Sequence, residues 1–211
     1  MYLVVRRSRP TDETSLVAAA AQVTVSCYVH YRSKVAGRLF DEWLQGVYAK
    51  VVLQAGDADW QRLDNIPQVG GEHVRALPPM RRDERESFLR RLRLYSPPSL
   101  EVGPSTTPEW GIALVINAAL DMSLGKTMAQ AAHAALRSHL QYPNTGWLGR
   151  GQPLGIYQAS GQRWQGLKRR PHIAICDAGR TELTPGSETV LALPPQELGG
   201  LDITPWRGTA H

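Results

Sequence analysis

The sequence has 211 residues, 42% hydrophobic and 20% charged, with a formal net charge of +5 and a pI near 9.5. This is ample length for a packed core and too apolar for a mainly disordered chain, and no apolar run approaches membrane-spanning length. The positive balance favours an anionic partner, nucleic acid first.

Cys27 and Cys176 are too few and too far apart for a disulfide framework or a Cys-based metal site, which fits a reduced, cytoplasmic protein. Arg6 and Arg7 interrupt the N-terminus before a secretory apolar stretch could form.

In chain order, Tyr2-Leu3-Val4-Val5 predicts a short strand, and Arg6 to Thr14, with Pro10, a loop. Ser15 to Tyr31 predicts a helix capped by Ser15, against the β-branched run Val23-Thr24-Val25. Phe40, Trp43 and Leu44 stand at helical spacing before the strand Val51-Val52-Leu53. Arg82 to Tyr95 carries acids early, arginines late and Phe88, Leu89, Leu92 and Tyr95 on one side, the pattern of an amphipathic helix. Ser96 to Pro108, with four prolines, reads as a linker.

Leu114-Val115-Ile116-Asn117 predicts a buried strand, a polar turn around Gly125, and a helix from Lys126 to Tyr142. A helix N-terminus has unpaired N–H groups and partial positive charge, so Gly125 and Lys126 mark a place for an anion. A nucleotide-binding P-loop is set aside, because Leu120 stands where that motif requires a glycine. Lys126, Gln130, His133 and Arg137 share one face of the helix, with Met128, Ala132, Ala135 and Leu136 facing inward.

Trp147 is a core plug or a base-stacking platform. Lys168-Arg169-Arg170 forms a basic tip with potential phosphate contacts. Ile173 to Cys176 and Val190 to Leu193 predict strands around the loop Asp177 to Thr189, and the tail from Gln196 frays unless Trp206 docks it.

The chain also echoes itself. Gln54-Ala55, Trp60-Gln61 and Leu63 recur as Gln158-Ala159, Trp164-Gln165 and Leu167, and Val74-Arg75-Ala76-Leu77-Pro78-Pro79 as Val190-Leu191-Ala192-Leu193-Pro194-Pro195. Tyr2 to Arg6 and Gln22 fall where Ala113 to Asn117 and Gln130 fall later. The expectation is an α/β chain of two tandem units, each a small mixed β-sheet flanked by helices. Residues 1–80 form a degenerate, non-catalytic half without the Asp177 loop, 81–108 a helix and Pro-rich linker, 109–195 the catalytic domain and 196–211 a tail.

The turn around Gly125-Lys126, the helix with Ala129-Gln130 and His133-Ala134-Ala135, and the loop Asp177-Ala178-Gly179-Arg180-Thr181-Glu182 through Pro185-Gly186 to Thr189 resemble the archaeal/eukaryotic-type (type II) peptidyl-tRNA hydrolases over most of Trp110 to Pro195. One departure is that this family has a lysine on each side of the turn glycine, where this chain has Leu124. The resemblance implies a small α/β fold that pairs as a homodimer, so that a fused second copy predicts a monomer acting as an internal pseudo-dimer. It also implies tRNA as partner, no cofactor, and hydrolysis of the ester between a peptide and the 3′ end of tRNA.

On that basis Lys126, Asp177, Thr181 and Thr189 are the expected catalytic residues. Gly125, Gln130, His133, Gly179, Arg180, Lys168, Arg169 and Arg170 are expected at the substrate. The sequence contains no Gly-x-Ser-x-Gly elbow and its two cysteines have no local catalytic context, so a positioned water is the expected nucleophile; its six scattered histidines form no metal set. A tRNA-binding or interaction module without turnover, and a related aminoacyl-ester deacylase, remain open alternatives.

Overall fold

The computed structural model describes residues 1–9, 11–34, 37–46, 49–81, 83–97, 100–103, 108–179, 181–199, 201 and 203–209. Its elements run β1 (Tyr2–Arg6), α1 (Glu13–Tyr31), α2 (Gly37–Gln45), β2 (Val51–Ala55), α3 (Asp57–Arg62), β3 (Val69–Gly70), β4 (Val74–Leu77), α4 (Ser87–Arg91) and β5 (Arg93–Leu94). They continue with β6 (Trp110–Asn117), α5 (Leu124–Gln141), β7 (Leu154–Ala159), α6 (Gly161–Leu167), β8 (Ile173–Cys176), β9 (Glu188–Glu197) and β10 (Thr204–Pro205).

Two five-stranded mixed sheets result, ordered β3-β4-β1-β2-β5 and β10-β7-β6-β9-β8. Each central strand, β1 or β6, has a parallel neighbour on one side and an antiparallel one on the other. Arg6 stands opposite Ala55 as Asn117 does opposite Ala159, and Val5 opposite Val74 as Ile116 does opposite Val190. The two sheets therefore run in the same strand order and sense, and their registers keep the spacings of the sequence echo. They differ between their last two long strands, where three residues, 71–73, join β3 to β4 and the loop 177–187 joins β8 to β9.

The central strands are apolar throughout because both faces are covered. Leu3 and Val5 of β1, and Ile112, Leu114 and Ile116 of β6, turn toward one core shared by α1 and α5. Val4 packs on the far side with Trp60, and Ala113 and Val115 with Trp164. The small side chains Ala20 and Ala21 of α1 and Ala131, Ala132, Ala134 and Ala135 of α5 are fully buried, and the two helices pack against each other.

Several expectations change here. Asp12, and not Ser15, caps α1, with its carboxylate accepting the Ser15 N–H at 2.8 Å and the Ser15 hydroxyl at 2.6 Å. The run Val23-Thr24-Val25 stays helical, because burial of Thr24 and Val25 against the shared core outweighs weak propensity.

The amphipathic helix expected over Arg82 to Tyr95 shortens to α4. Leu92 turns to extended backbone, and Arg93–Leu94 joins the N-terminal sheet by pairing with Gln54 and Leu53. Arg82, Pro98 and Pro104 lie outside the described residues.

Trp147 is a core residue whose indole N–H donates to the Pro153 carbonyl at 2.6 Å. Trp206 is buried, and Thr209 gives its N–H and hydroxyl to the buried carboxylate of Glu13, so the tail is tied to the head of α1. No helix among the described residues is long and apolar enough to cross a membrane. Replacing the α1 cap, Asp12→Ala, is expected to lower stability by about 1 kcal/mol in urea unfolding.

Candidate functional site

A cleft of about 830 Å³ opens where the head of α5 meets the loop 177–187 and the β2–β5 edge of the N-terminal sheet. The polar stripe predicted on α5 forms one wall, since Lys126, Gln130, His133 and Arg137 all line it. The same side chains would only be solvated on an isolated helix. Here the loop and the other sheet enclose them.

The helix head is fixed by exchange between backbone and side chains. Ser123 caps α5, its hydroxyl oxygen accepting the Lys126 N–H at 3.3 Å. Its own N–H and hydroxyl donate to Glu182 Oε1 at 3.0 and 3.1 Å, which docks the loop and places a carboxylate where the helix dipole favours one. Gly125 sits in the first turn, and a Cβ there would lie 3.1 Å from the Tyr95 carbonyl. Its lack of a side chain thus admits the backbone of the N-terminal sheet.

Asp177 is buried at the centre. Its Oδ1 accepts the Gly179 N–H at 2.8 Å, and its Oδ2 accepts Gln130 Nε2 at 2.7 Å and meets the Lys126 ammonium. Lys126 also donates to Thr181 Oγ1 at 2.8 Å. The tight loop needs Gly179, whose φ is +70° and where a Cβ would lie 2.2 Å from the Pro185 ring.

An ionised carboxylate has about four acceptor positions, so three donors leave Asp177 room for one more, such as a water. Gln130 Oε1 is a buried acceptor without a partner among the described residues, which a water or hydroxyl could supply.

His133 lies further along the wall, its ring stacked on Trp43 with centroids 6.5 Å apart. Lys50 Nζ lies 2.9 Å from His133 Nδ1, and with Lys50 charged and donating, the neutral ring's proton is assigned to Nε2. Burial, then the charges of Lys50 and Arg137, hold His133 well below its ordinary value of 6.5. Burial, then Arg137, likewise holds Lys50 well below 10.5.

Other expected residues are elsewhere. Thr189 is fully buried in β9, and its hydroxyl donates to the Ile175 carbonyl at 2.9 Å, so it braces β8 from behind. Lys168 pairs with Glu188 at 2.7 Å and holds that carboxyl below its usual range. Its ammonium is thus engaged beside a neighbouring hollow lined by Asn117, Trp164 and Glu188. Arg169 and Arg170 are exposed at the tip after α6 and are not among the residues lining the cleft. Arg180 lies outside the described residues.

Sequence reasoning missed Lys50 and Tyr95, which no local pattern distinguishes, and Ser123 with Glu182, whose pairing spans 59 residues. No group of three or more metal-ligating side chains occurs among the described residues.

Residues 111–202 match the family described as Peptidyl-tRNA hydrolase PTH2. Peptidyl-tRNA hydrolases from Methanococcus maripaludis (strain C6), Methanopyrus kandleri and Haloquadratum walsbyi are similar to this segment. They are 31%, 33% and 32% identical over 98, 101 and 106 residues, which is 40%, 42% and 43% of this chain and 84%, 87% and 89% of those proteins.

The chain belongs to the peptidyl-tRNA hydrolase PTH2 family. The PTH2 segment contains Lys126, Gln130, His133, Asp177 and Thr181, while Lys50 and Tyr95 lie outside it. Leu124, the departure from the family pattern beside Gly125, is buried in the shared core and faces away from solvent.

The depressed His133 pKa predicts a pH dependence of folding. Between the folded value and 6.5 the unfolded chain binds a proton that the folded chain does not, so stability is fully present above 6.5 and declines as pH falls, by at most about 1.4 kcal/mol per unit. Urea unfolding at pH 7.5 and 5.5 is expected to show this decline, and His133→Gln to flatten it.

Proposed function

We propose that the protein hydrolyses the ester joining a peptide, or an N-blocked amino acid, to the 3′-terminal ribose of tRNA. The observation that carries this reading is the convergence of Lys126, Gln130, Asp177 and Thr181 in one cleft inside the segment that matches the family. The positive net charge suits an RNA substrate.

In this reading water is the nucleophile. It donates a hydrogen bond to the open acceptor position of Asp177, attacks the ester carbonyl, and passes its proton through Asp177 to the departing ribose oxygen as the C–O bond breaks. The Lys126 ammonium, held by Asp177 and Thr181, faces the developing oxyanion.

Gln130 Oε1 and His133 Nε2–H are assigned to substrate hydroxyls and phosphate oxygens. Gly125 and Gly179 admit close backbone, and the exposed Arg169 and Arg170 meet RNA outside the cleft, with Arg180 assigned to the substrate as well. Thr189 is assigned to holding Ile175, and Lys168 to holding Glu188.

We further assign the chain two copies of one unit, residues 1–80 and 109–195, with 81–108 connecting them and 196–211 as a tail. Equal strand order, equal pairing sense and the 71–73 turn in place of the 177–187 loop support a first copy without the chemistry. The helices equivalent in this scheme, α1 and α5, pack on each other, as equivalent elements do across a twofold interface. The pair would act as a monomeric pseudo-dimer, suited to the cytoplasm. A tRNA-binding module without turnover is the second reading, favoured by Leu124 at the helix head.

The test is release of tRNA from labelled N-acetyl-aminoacyl-tRNA. Lys126→Ala and Asp177→Asn are expected to lower kcat/KM by about 10²–10³-fold when each is assayed below its own unfolding temperature, which loss of the buried pair lowers. Salt-sensitive tRNA binding without turnover by the intact protein would favour the second reading.

A further inference from the structure

The cleft is built from both sheets, and the N-terminal sheet brings more than a wall. Lys50, directly before β2, extends into it with its ammonium 2.9 Å from His133 Nδ1 and 4.6 Å from the centre of the Trp43 ring. Arg137, one turn beyond His133 on α5, lines the same end.

We propose that Lys50 is a substrate-binding residue lent by the N-terminal sheet, which with Arg137 seats a phosphodiester of the single-stranded 3′ end whose ester lies at Lys126 and Asp177. The inference rests on the hydrolase reading above for the position of that ester.

Three observations carry it. The first is polarity along the wall. The near end holds Lys126 against Asp177 and Thr181, and the distal end gathers Lys50, Arg137 and the neutral ring of His133. Acidic side chains line the near end, Asp177 with Lys126 and Glu182 with Ser123.

The second is distance. From Lys126 to Arg137 the helix rises about 16 Å, enough for a few nucleotides of single strand between ester and phosphate. The third is that Lys50 and Arg137 destabilise positive charge at His133 in a desolvated pocket, a repulsion that a bound phosphate relieves. His133 Nε2–H adds a donor at the same end.

The seat also gives the N-terminal sheet a function beyond covering apolar surface. Leu124, at the head of α5, is buried, and the further cation on the cleft wall comes from across the chain at its distal end.

The experiment compares the full-length protein with Lys50→Met and Lys50→Arg, each first matched for unfolding temperature. Anisotropy with labelled, uncharged tRNA across a salt series is expected to show about tenfold weaker binding for Lys50→Met. Its salt slope should be shallower by about 0.7, the value for one lost contact to a single strand. Lys50→Arg should recover most of the affinity.

Turnover is then measured on N-acetyl-aminoacyl-tRNA and on N-acetyl-aminoacyl-adenosine, which has the ester but no phosphate. The loss on the tRNA substrate should exceed that on the adenosine ester by about tenfold. Unchanged tRNA affinity, or equal losses on both esters, would overturn the proposal. If the intact protein cleaves neither ester and Lys50→Met still weakens tRNA binding, the hydrolase reading fails and the phosphate seat stands.

Discussion

The packing of α1 on α5 is the constraint from which the rest of the molecule follows. Both helices bury several alanines in the shared core, and each sheet lays one apolar face over the pair. With that face used, the opposite faces need cover of their own, which Trp60 and Trp164 supply in equivalent places. The cleft forms because this packing brings the head of α5 against the β2–β5 edge of the other sheet.

Within the cleft, Asp177 is the node. One carboxylate links its own loop through Gly179, the α5 wall through Gln130, and the ammonium of Lys126. Burying that carboxylate is tolerable only because every bond is charge-assisted or made to a fixed donor. The cost of placing charge inside is therefore met locally, and the loop has little freedom to rearrange. The balanced charges at Asp177 and Lys126 contrast with the distal end, where Lys50 and Arg137 flank the neutral ring of His133.

A sheet with one helix on its inner face leaves that helix half uncovered, and here α1 and α5 cover each other. Only three residues, 71–73, separate β3 from β4, and the start of β2 lies beside the cleft, which brings Lys50 to its wall.

The sequence by itself determined β1, β2, β6, β8 and β9 and the long helices α1 and α5, since apolar runs and helical spacing report local burial directly. It also marked Lys126, Gln130 and Asp177, whose residue types and order carried the family likeness. The echo of Gln54-Ala55…Trp60 in Gln158-Ala159…Trp164 was visible because packing behind a sheet needs the same side chains each time.

What only the tertiary structure decided depends on contacts between residues distant in sequence. Strand pairing with Leu53 and Gln54 converted Arg93–Leu94, near the end of an apparent amphipathic helix, into β5, because hydrogen bonding to an open sheet edge outweighs weak local periodicity. Thr189 and Lys168 matched the expected pattern, yet their polar atoms are turned toward Ile175 and Glu188. Lys50 stands next to an ordinary strand and has no motif around it. Its place beside His133 exists only because the two helices pack, and no local stretch of sequence encodes a meeting across 83 residues.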